Sequence, residues 1–265
     1  MDVGPRLHAA AHEPPKGHGG SVTRSIHGKD WDKHVDHVEA MALTPSFGAL
    51  RDQILELAYL RSDDRVLDIG AGTGLLALEA APYVAHVAAL DISEPMCRRL
   101  QRNQRRLGIT NVDTFTASAV ELPIADGTVD VVISNYCFHH VSDADKRRAL
   151  SEIYRVLHPG GRVVIADMMF SLTATDTHDR AVLALLARRM LSKGFSGLLR
   201  LTKNALRVLG GRWEHPARAQ WWAESLAAAG FAAVRVHELE HEGGIVTARR
   251  ARASDTLAPS PLLGV

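Results

Sequence analysis

Short apolar runs alternate with longer amphipathic segments through the middle of the chain. A short run that ends in turn residues predicts a buried strand, and apolar positions at helical spacing predict a helix. Five strands are predicted in this way, at residues 65–69, 86–91, 112–117, 129–134 and 161–167. Three helices are predicted between them, at residues 75–81, 94–107 and 143–157. This alternation is typical of a parallel sheet that carries helices on both faces.

Local signals mark two of the helix boundaries. Ser93 is predicted to cap the second helix, with Pro95 in the first turn, where a missing N–H breaks no helical hydrogen bond. The third helix is predicted to stop before Pro159, Gly160 and Gly161, because proline and glycine interrupt helical geometry.

The last third of the chain has a different pattern. A long helical segment is predicted at 179–210, with a break near 194–197, and it forms an insertion after the fifth strand. A further helix is predicted at 216–229. Two strands follow at 231–240 and 244–250, joined by a tight turn at 242–244. The pattern predicts a parallel sheet that ends in an antiparallel hairpin.

The composition is that of an ordinary globular protein of 265 residues, with 46% hydrophobic and 23% charged residues. The formal net charge of +1 argues against a dedicated nucleic-acid binder, which is usually distinctly basic. Cys97 and Cys137 form neither a disulfide framework nor a CxxC pair, which predicts a reduced, cytoplasmic protein. No long apolar stretch and no secretory signal are found, so no membrane insertion is expected.

Both ends of the chain predict tails rather than folded structure. Residues 1–24 are rich in glycine and proline and have almost no apolar periodicity, which predicts a disordered N-terminal tail. Residues 256–265 are predicted to be a flexible C-terminal tail. The region between them, residues 25–255, is predicted to be one domain.

The sharpest chemical signal is a glycine turn, where the first strand runs into Gly70, Gly72 and Gly74. Glycines at the carboxyl end of a central strand let the backbone approach a ligand closely. Nicotinamide and flavin enzymes use the spacing G-x-G-x-x-G for a pyrophosphate. This chain has G-x-G-x-G instead, and Leu75 stands where the third glycine of the nicotinamide and flavin pattern would lie. Asp68 is expected to repel a pyrophosphate and to favour a cationic ligand. A turn of purely structural use is the alternative.

A second acidic residue favours a nucleoside ligand. Asp91 ends the second strand, 17 positions after Gly74. From there a carboxylate can accept hydrogen bonds from both ribose hydroxyls of an adenosine.

Five segments, in the correct order, resemble the class I S-adenosylmethionine-dependent methyltransferases. They are VLDIGAGTG, LDIS, ELP, DVVIS and LHPGGRV, at residues 66–74, 90–93, 121–123, 130–134 and 157–163. The chain most resembles the small-molecule branch that includes the ubiquinone- and menaquinone-type methyltransferases. The resemblance implies an α/β fold with a Rossmann-like, doubly wound sheet of seven strands, mostly parallel, with a C-terminal antiparallel hairpin. The insertion then becomes a helical cap at 176–212, placed after strand five of the methyltransferase domain.

Matching positions imply a binding site for S-adenosylmethionine. The glycines are expected around its methionine part, Asp68 near its amino group, Asp91 on the ribose and Ile92 against the adenine. Relatives often carry an Asp on the adenine amino group, and Ser118 replaces it here with a weaker hydrogen bond. The implied cofactor residues are Asp68, Gly70, Ala71, Gly72, Gly74, Asp91, Ile92, Ser118, Ala119 and Ser134.

The acceptor site is expected in the loop after the fourth strand, where this family places residues beside the reactive methyl. Tyr136, His139 and His140 are the candidate catalytic residues of that loop. His139 or His140 is suited to deprotonate a hydroxyl or a carbon acid, because imidazole titrates near neutral pH. The alternative is that these histidines pack structurally in the loop and that Tyr136 only walls the pocket.

The N-terminal segment is expected to cover the site, as it often does in relatives. This prediction assigns a helical lid to residues 25–60, with Trp31 and His34 on one face and in contact with the substrate. His34 and His37 have no third ligand at a useful spacing, so no metal is expected.

The predicted cap is strongly basic. Residues 180–212 contain eight Lys and Arg residues, counting Arg180 and Arg212, and no Asp or Glu. Arg188 and Arg189 are predicted to bind an anionic or lipidic acceptor, because a guanidinium can grip two oxygens at once. Docking at a membrane surface and a solvated helix face are the alternatives.

These features predict an enzyme that moves a methyl group from S-adenosylmethionine to an O, N or C atom of a small molecule. The acceptor is expected to be of the secondary-metabolite, quinone or isoprenoid type, and the product is S-adenosylhomocysteine. A nicotinamide-dependent oxidoreductase and a non-catalytic nucleoside-cofactor-binding module are the alternatives. The protein is expected to be a cytoplasmic monomer or homodimer without a nucleic-acid partner, with peripheral membrane contact left open.

Overall fold

A computed structural model describes residues 25–26, 29–170, 177–192, 214–239 and 243–252. Two short antiparallel strands come first, β1 (Ser25–Ile26) and β2 (Lys29–Asp30), followed by a 3-10 turn at Trp31–His34. The helices are α1 (Val35–Ala42), α2 (Pro45–Ala58), α3 (Ala77–Ala80), α4 (Glu94–Leu107), α5 (Asp143–Val156), α6 (Thr177–Leu191) and α7 (Ala219–Ala228). The strands of the main sheet are β3 (Arg65–Ile69), β4 (His86–Asp91), β5 (Val112–Thr116), β6 (Val129–Asn135), β7 (Leu157–Met168), β8 (Phe231–Glu238) and β9 (Gly243–Arg250).

The seven strands from β3 to β9 form one mixed sheet in the order β5-β4-β3-β6-β7-β9-β8. Strands β3 to β7 are parallel, and β9 lies antiparallel between β7 and β8. The predicted Rossmann-like sheet with a C-terminal hairpin is therefore confirmed. The chain runs outwards from β3 to β5 and then crosses back to β6 on the other side of β3. The carboxyl ends of β3 and β6 flank this switch point, where open parallel sheets bind ligands.

Helices bury both faces of the sheet. Val66 and Leu67 of β3 face opposite sides, as neighbours in a strand must, and both are fully buried. Leu67 packs in a cluster with Ile153 of α5 and Leu226 of α7, and Val66 packs in a second cluster with Ile54 of α2. Strands buried on both faces have near-continuous apolar sequences, which is the pattern that predicts this sheet.

Two local differences from the predicted elements have clear causes. The helix predicted at 75–81 is only α3, followed by a 3-10 turn at Ala81–Tyr83, because Pro82 has no N–H to continue the helix. The strand predicted from Gly161 starts earlier, at Leu157. Its pairing with β6 shifts between Val129 and Val131, so that Pro159 and its two glycines fall in a β-bulge.

The predicted cap is described only as α6, on which the Arg188 side chain is exposed. The helix predicted from there to residue 210, both tails and residue 242 of the predicted hairpin turn lie outside the described residues, whereas Gly243 and Gly244 of that turn belong to β9. After the insertion, Arg218 at the start of α7 binds the buried carboxylate of Asp179 in α6, with Nη2–Oδ2 at 2.5 Å. This ion pair joins the two ends of the insertion. No helix in the described ranges is both long enough and apolar enough to cross a membrane.

Candidate active site

The glycine turn lies against the loop that follows β6. Gly70, Gly72 and Gly74 have φ values of 73°, 54° and 102°, a backbone region that other residues avoid. The N–H groups of Gly70 and Ala71 both donate to the carbonyl of Leu90, at 2.8 and 2.9 Å, which ties the turn to the end of β4. A Cβ on Gly70 would collide with the side chain of Cys137. The turn after β3 and the loop after β6 are therefore in direct contact.

The other two glycines meet different parts of the fold. A Cβ on Gly72 would lie 3.3 Å from Val38, so α1 covers the turn at this point. A Cβ on Gly74 would meet Leu78 and Leu100, which makes Gly74 a packing glycine between the turn and α4. The predicted N-terminal lid thus lies over the glycine turn, and its function as a lid stays a prediction.

Two carboxylates organise the turn. Asp91 accepts hydrogen bonds from the N–H of Gly72 and the N–H of Ser93, both at 2.9 Å, one on each oxygen. Each oxygen keeps a second lone pair, which a ribose hydroxyl can use. Asp68 is 1% exposed and accepts from the N–H of Ala77 at 3.0 Å. Asp68 therefore connects β3 to the start of α3 across the turn.

The electrostatics of the turn suit a cation. Burial raises the pKa of the Asp68 carboxyl to about 7, the hydrogen bond from Ala77 opposes this rise, and the nearby charge of Asp91 adds to it. Burial also raises the pKa of Asp91, against the hydrogen bonds from Ser93 and Gly72. A buried acid, Asp68, and a partly exposed one, Asp91, at the same sheet edge favour a ligand with a sulfonium or ammonium group, and Asp68 opposes a pyrophosphate.

Asn135 is a candidate cofactor residue that sequence reasoning missed. Its Oδ1 is buried at the end of β6 and has no hydrogen-bond partner among the described residues. An unpaired buried acceptor is costly, and a donor on a ligand would satisfy it. The available signal was its position at the carboxyl end of a central strand. The hydrogen-bond acceptors of this edge, two carboxylates and an amide oxygen around a glycine turn, fit the ribose hydroxyls and the amino group of S-adenosylmethionine.

The remaining predicted cofactor residues lie around the same edge. Ile92 follows Asp91 and is partly exposed. Ser118 accepts from the N–H of Val120 at 3.4 Å, and Ala119 lies between these two residues. Ser134 is fully buried, and its hydroxyl donates to the carbonyl of Ile69 at 2.8 Å, which holds β6 to β3. Their contacts with a cofactor stay predictions.

His139 is held by a buried carboxylate that sequence reasoning missed. Its Nδ1 lies 2.5 Å from Oδ1 of Asp167, and its backbone N–H donates to Oδ2 of the same residue at 2.9 Å. His139 is 5% exposed and Asp167 is 1% exposed. Asp167 belongs to β7, the strand beside β6, so the position of an Asp near a strand's carboxyl end was the available signal.

Aromatic and polar side chains surround the histidine pair. Trp31 packs on His140 with ring centroids 4.4 Å apart, and His34 lies 5.9 Å from Trp31. Tyr136, with φ of 50°, packs 5.7 Å from His139. The structure therefore brings together all five predicted residues of the N-terminal segment and the acceptor loop.

Glu214 joins this group from the far end of the insertion. Its Oε1 lies 3.7 Å from Nδ1 of His140. Glu214, His140 and His139 offer ligand atoms within 4.8 Å of one another, a set that can hold a metal ion. The sequence analysis missed this set because Glu214 is distant along the chain, and the expectation of no metal stays a prediction.

Cys137 is unsuited to act as a nucleophile in this loop. Burial raises the pKa of its thiol well above the ordinary value, and the charge of Asp91 adds to the rise. The thiolate is the reactive form of cysteine, so a thiol that stays protonated is inert. Cys137 therefore serves as the contact between the two loops.

Asp68 makes the stability of the protein depend on pH. Between pH of about 4 and about 7 the unfolded chain has released this proton and the folded chain has kept it, so the free energy of unfolding falls as pH rises. The slope from this one group reaches about 1.4 kcal/mol per pH unit and vanishes above the folded pKa. In Asp68→Asn we expect the free energy of unfolding to lose this dependence on pH. Urea unfolding at several pH values from about 5 to about 8 measures it in both proteins. Equal slopes for both proteins would contradict the assignment.

Comparison with known proteins finds a family model and several relatives that match the middle of the chain. Residues 66–161 match the family model described as a methyltransferase domain. A demethylmenaquinone methyltransferase of Thermus thermophilus is 39% identical over 128 residues, which cover 46% of this chain and 56% of the relative. A ubiquinone/menaquinone biosynthesis C-methyltransferase of Vibrio campbellii is 39% identical over 117 residues, which cover 43% of this chain and 44% of the relative.

A solved structure shows the same fold over most of the chain. The structure of a SAM-dependent methyltransferase from Aquifex aeolicus has a TM-score of 0.59 at 19% identity and covers 83% of this chain and 98% of that one. The chain spans about half the length of the curated relatives it matches. The matched region contains the glycine turn, Asp91 and the acceptor loop. Residues 66–161 are therefore similar to a methyltransferase domain, on a fold that the chain shares with a SAM-dependent methyltransferase.

Proposed function

We propose that the protein transfers the methyl group of S-adenosylmethionine to an O, N or C atom of a small-molecule acceptor by in-line displacement, with release of S-adenosylhomocysteine. The observation that carries this proposal is the direct contact between Gly70 and Cys137. It puts a donor bound at the glycine turn beside an acceptor bound at His139, two residues after Cys137. Close approach and alignment supply much of the rate in such a reaction.

The chain binds and orients the donor. S-adenosylmethionine supplies an activated methyl group on a sulfonium centre when bound. Gly70, Ala71, Gly72 and Gly74 allow close approach of the backbone, and Asp91 accepts from the ribose hydroxyls. Asp68 and Asn135 face the amino group of the cofactor. Ile92, Ser118 and Ala119 line the adenine. Ser134 joins β6 to β3 beneath the site. The alternative nicotinamide cofactor carries a pyrophosphate, which the buried carboxyl of Asp68 disfavours at the glycine turn.

His139 takes the proton of the acceptor. The buried carboxylate of Asp167 accepts from Nδ1–H of His139, so the lone pair on Nε2 is left to act as a base. The same carboxylate stabilises the imidazolium that forms. His140 and Tyr136 contact the acceptor beside it, and Trp31 and His34 exclude water from above.

The acceptor is a molecule with an aromatic or quinol-type ring. Trp31, Phe47 and Tyr136 give the histidine pair aromatic walls, with Phe47 packed 5.5 Å from Tyr136. The matched relatives named for quinone substrates support the same class. Arg188 and Arg189 of the basic cap bind an anionic group or the surface from which a lipidic acceptor is drawn.

The protein works in the cytoplasm as a monomer or homodimer, without a nucleic-acid partner.

Incubation of the protein with extract and methyl-labelled S-adenosylmethionine tests this function. Mass spectrometry should find the label in a small molecule, in amounts equal to the S-adenosylhomocysteine formed. The same incubation with a metal chelator tests whether the cluster of His139, His140 and Glu214 needs a metal ion for the reaction. We expect methyl transfer to persist in the presence of the chelator. Cofactor binding with no labelled product in any extract would favour the non-catalytic binding module.

Asp91→Ala should weaken binding of S-adenosylhomocysteine about 10- to 150-fold, because hydrogen bonds to a charged group contribute roughly 1.5–3 kcal/mol. Isothermal titration calorimetry measures the change. Asp113→Ala is the matched control, since Asp113 is a half-exposed carboxylate on the next strand, near its amino end, paired with His86. Unchanged affinity in Asp91→Ala would overturn the ribose assignment.

A further inference from the structure

Lys146 of α5 is a charged side chain with no exposed surface. Its Nζ donates to the Asp143 carboxylate at 2.7 Å and to the carbonyl of His215 at 2.5 Å. It also lies 5.4 Å from the ring centroid of Trp221. Lysine is almost never fully buried unless it is paired, because taking an ammonium out of water is costly. The contact with His215 shows what this buried charge holds in place.

The segment at His215 connects Lys146 to the histidine pair. The N–H of His215 donates to the carbonyl of His139 at 2.7 Å, so this residue is held on one side by Lys146 and on the other by His139. The preceding residue is Glu214, which reaches His140 at 3.7 Å. The chain entering α7 is thus fixed at the edge of the acceptor site.

We propose that Lys146 is a positioning residue for the acceptor site. Through the carbonyl of His215 it fixes the backbone of His139 and places Glu214 beside His140, without touching either histidine itself. This inference rests on the proposed function in one respect, namely that the histidine pair receives the acceptor. The cofactor site lies on the other side of Cys137 and does not depend on Lys146.

The energetics separate positioning from simple stabilisation. Removing one partner of an ion pair is strongly destabilising when the other charge is left buried and uncompensated. The carboxylate of Asp143 is 52% exposed, so it stays solvated when Lys146 is replaced. Loss of the hydrogen bond from Lys146 Nζ removes a restraint on the backbone at His215. A positioning lysine therefore predicts a mobile segment in a stable protein.

Lys146→Met tests the proposal in the full-length chain. We expect the amide of His215 to exchange hydrogen at least tenfold faster, the melting temperature to change by no more than about 4 °C, and S-adenosylhomocysteine to bind as before. With a demethylmenaquinol in detergent micelles as the acceptor probe, turnover should fall at least tenfold. Arg148→Met is the matched control, an exposed cation on the same helix paired with Asp145, and it should change none of these.

Asp143→Ala separates the ion pair from the carbonyl contact. It removes the carboxylate and leaves Lys146 bound to His215, so the His215 amide should keep its protection. Wild-type protection in Lys146→Met would overturn the proposal. Unfolding of Lys146→Met together with loss of cofactor binding would also overturn it, since that result identifies a structural lysine. If the wild-type protein does not methylate the probe, the proposed acceptor class fails, and hydrogen exchange still decides the role of Lys146.

Discussion

Replacing Gly70 by alanine should strongly weaken binding of S-adenosylhomocysteine in a protein that still folds. The added Cβ collides with Cys137, and the φ of 73° at this position is strained for any L side chain. Overpacking costs about 1–3 kcal/mol and the left-handed backbone another 1–2 kcal/mol, which together displace the turn. We expect the affinity measured by calorimetry to fall on the order of 100-fold or more.

Two further variants make this result specific. Gly48→Ala is the control, because its Cβ meets nothing within 4 Å and it lies inside α2. It should bind as the wild type does and gain about 0.5–1 kcal/mol of stability, since glycine weakens a helix interior. Adding Cys137→Gly to Gly70→Ala should recover part of the affinity, because the collision disappears and the backbone strain remains. Wild-type binding by Gly70→Ala alone would place the cofactor elsewhere.

His139→Ala should lower the rate of methyl transfer about 10²- to 10⁴-fold and leave cofactor affinity unchanged. This expectation follows from the proposed role of the imidazole as the base, outside the proposed cofactor site. Asp167→Asn should also be slow, because an amide that donates to Nδ1 puts the ring proton on Nε2 and removes the basic lone pair. The measurement is the rate of S-adenosylhomocysteine release with the acceptor that the extract experiment identifies.

His158→Ala is the matched control for this pair. His158 is also paired with an aspartate, Asp130, at 2.9 Å, but it is 40% exposed and lies where β7 begins, away from the carboxyl edge. Its loss should leave transfer unchanged. Transfer at the wild-type rate by His139→Ala would instead support the alternative in which the histidines only pack the loop.

Local chemistry made much of the fold predictable. The bounds of β3, β4 and α4 are those that the sequence predicts, because apolar runs, an N-cap at Ser93 and a glycine turn act within a few residues. Ser93 accepts from the N–H of Met96 at 3.4 Å, as expected of a cap. The bulge at Pro159 was missed because strand pairing across the sheet, rather than the local sequence, decides whether a breaker ends a strand.

The acceptor site was only partly predictable. Tyr136 and the two histidines follow a predicted strand, so their place at the sheet edge could be inferred from the chain order. Asp167, Glu214 and Lys146 were missed because their roles come from long-range contacts. Such contacts depend on the strand order and on the path of the insertion, which periodicity does not determine.

Calorimetric titration with S-adenosylhomocysteine, and separately with NADH, tests the central claim most directly. We expect one site per chain for S-adenosylhomocysteine and no binding of NADH, because the buried carboxyl of Asp68 opposes a pyrophosphate at the glycine turn. We also expect Asp91→Ala to lower the affinity for S-adenosylhomocysteine and Asp113→Ala to leave it unchanged. Binding of NADH by a protein that gives no signal with S-adenosylhomocysteine would contradict the account.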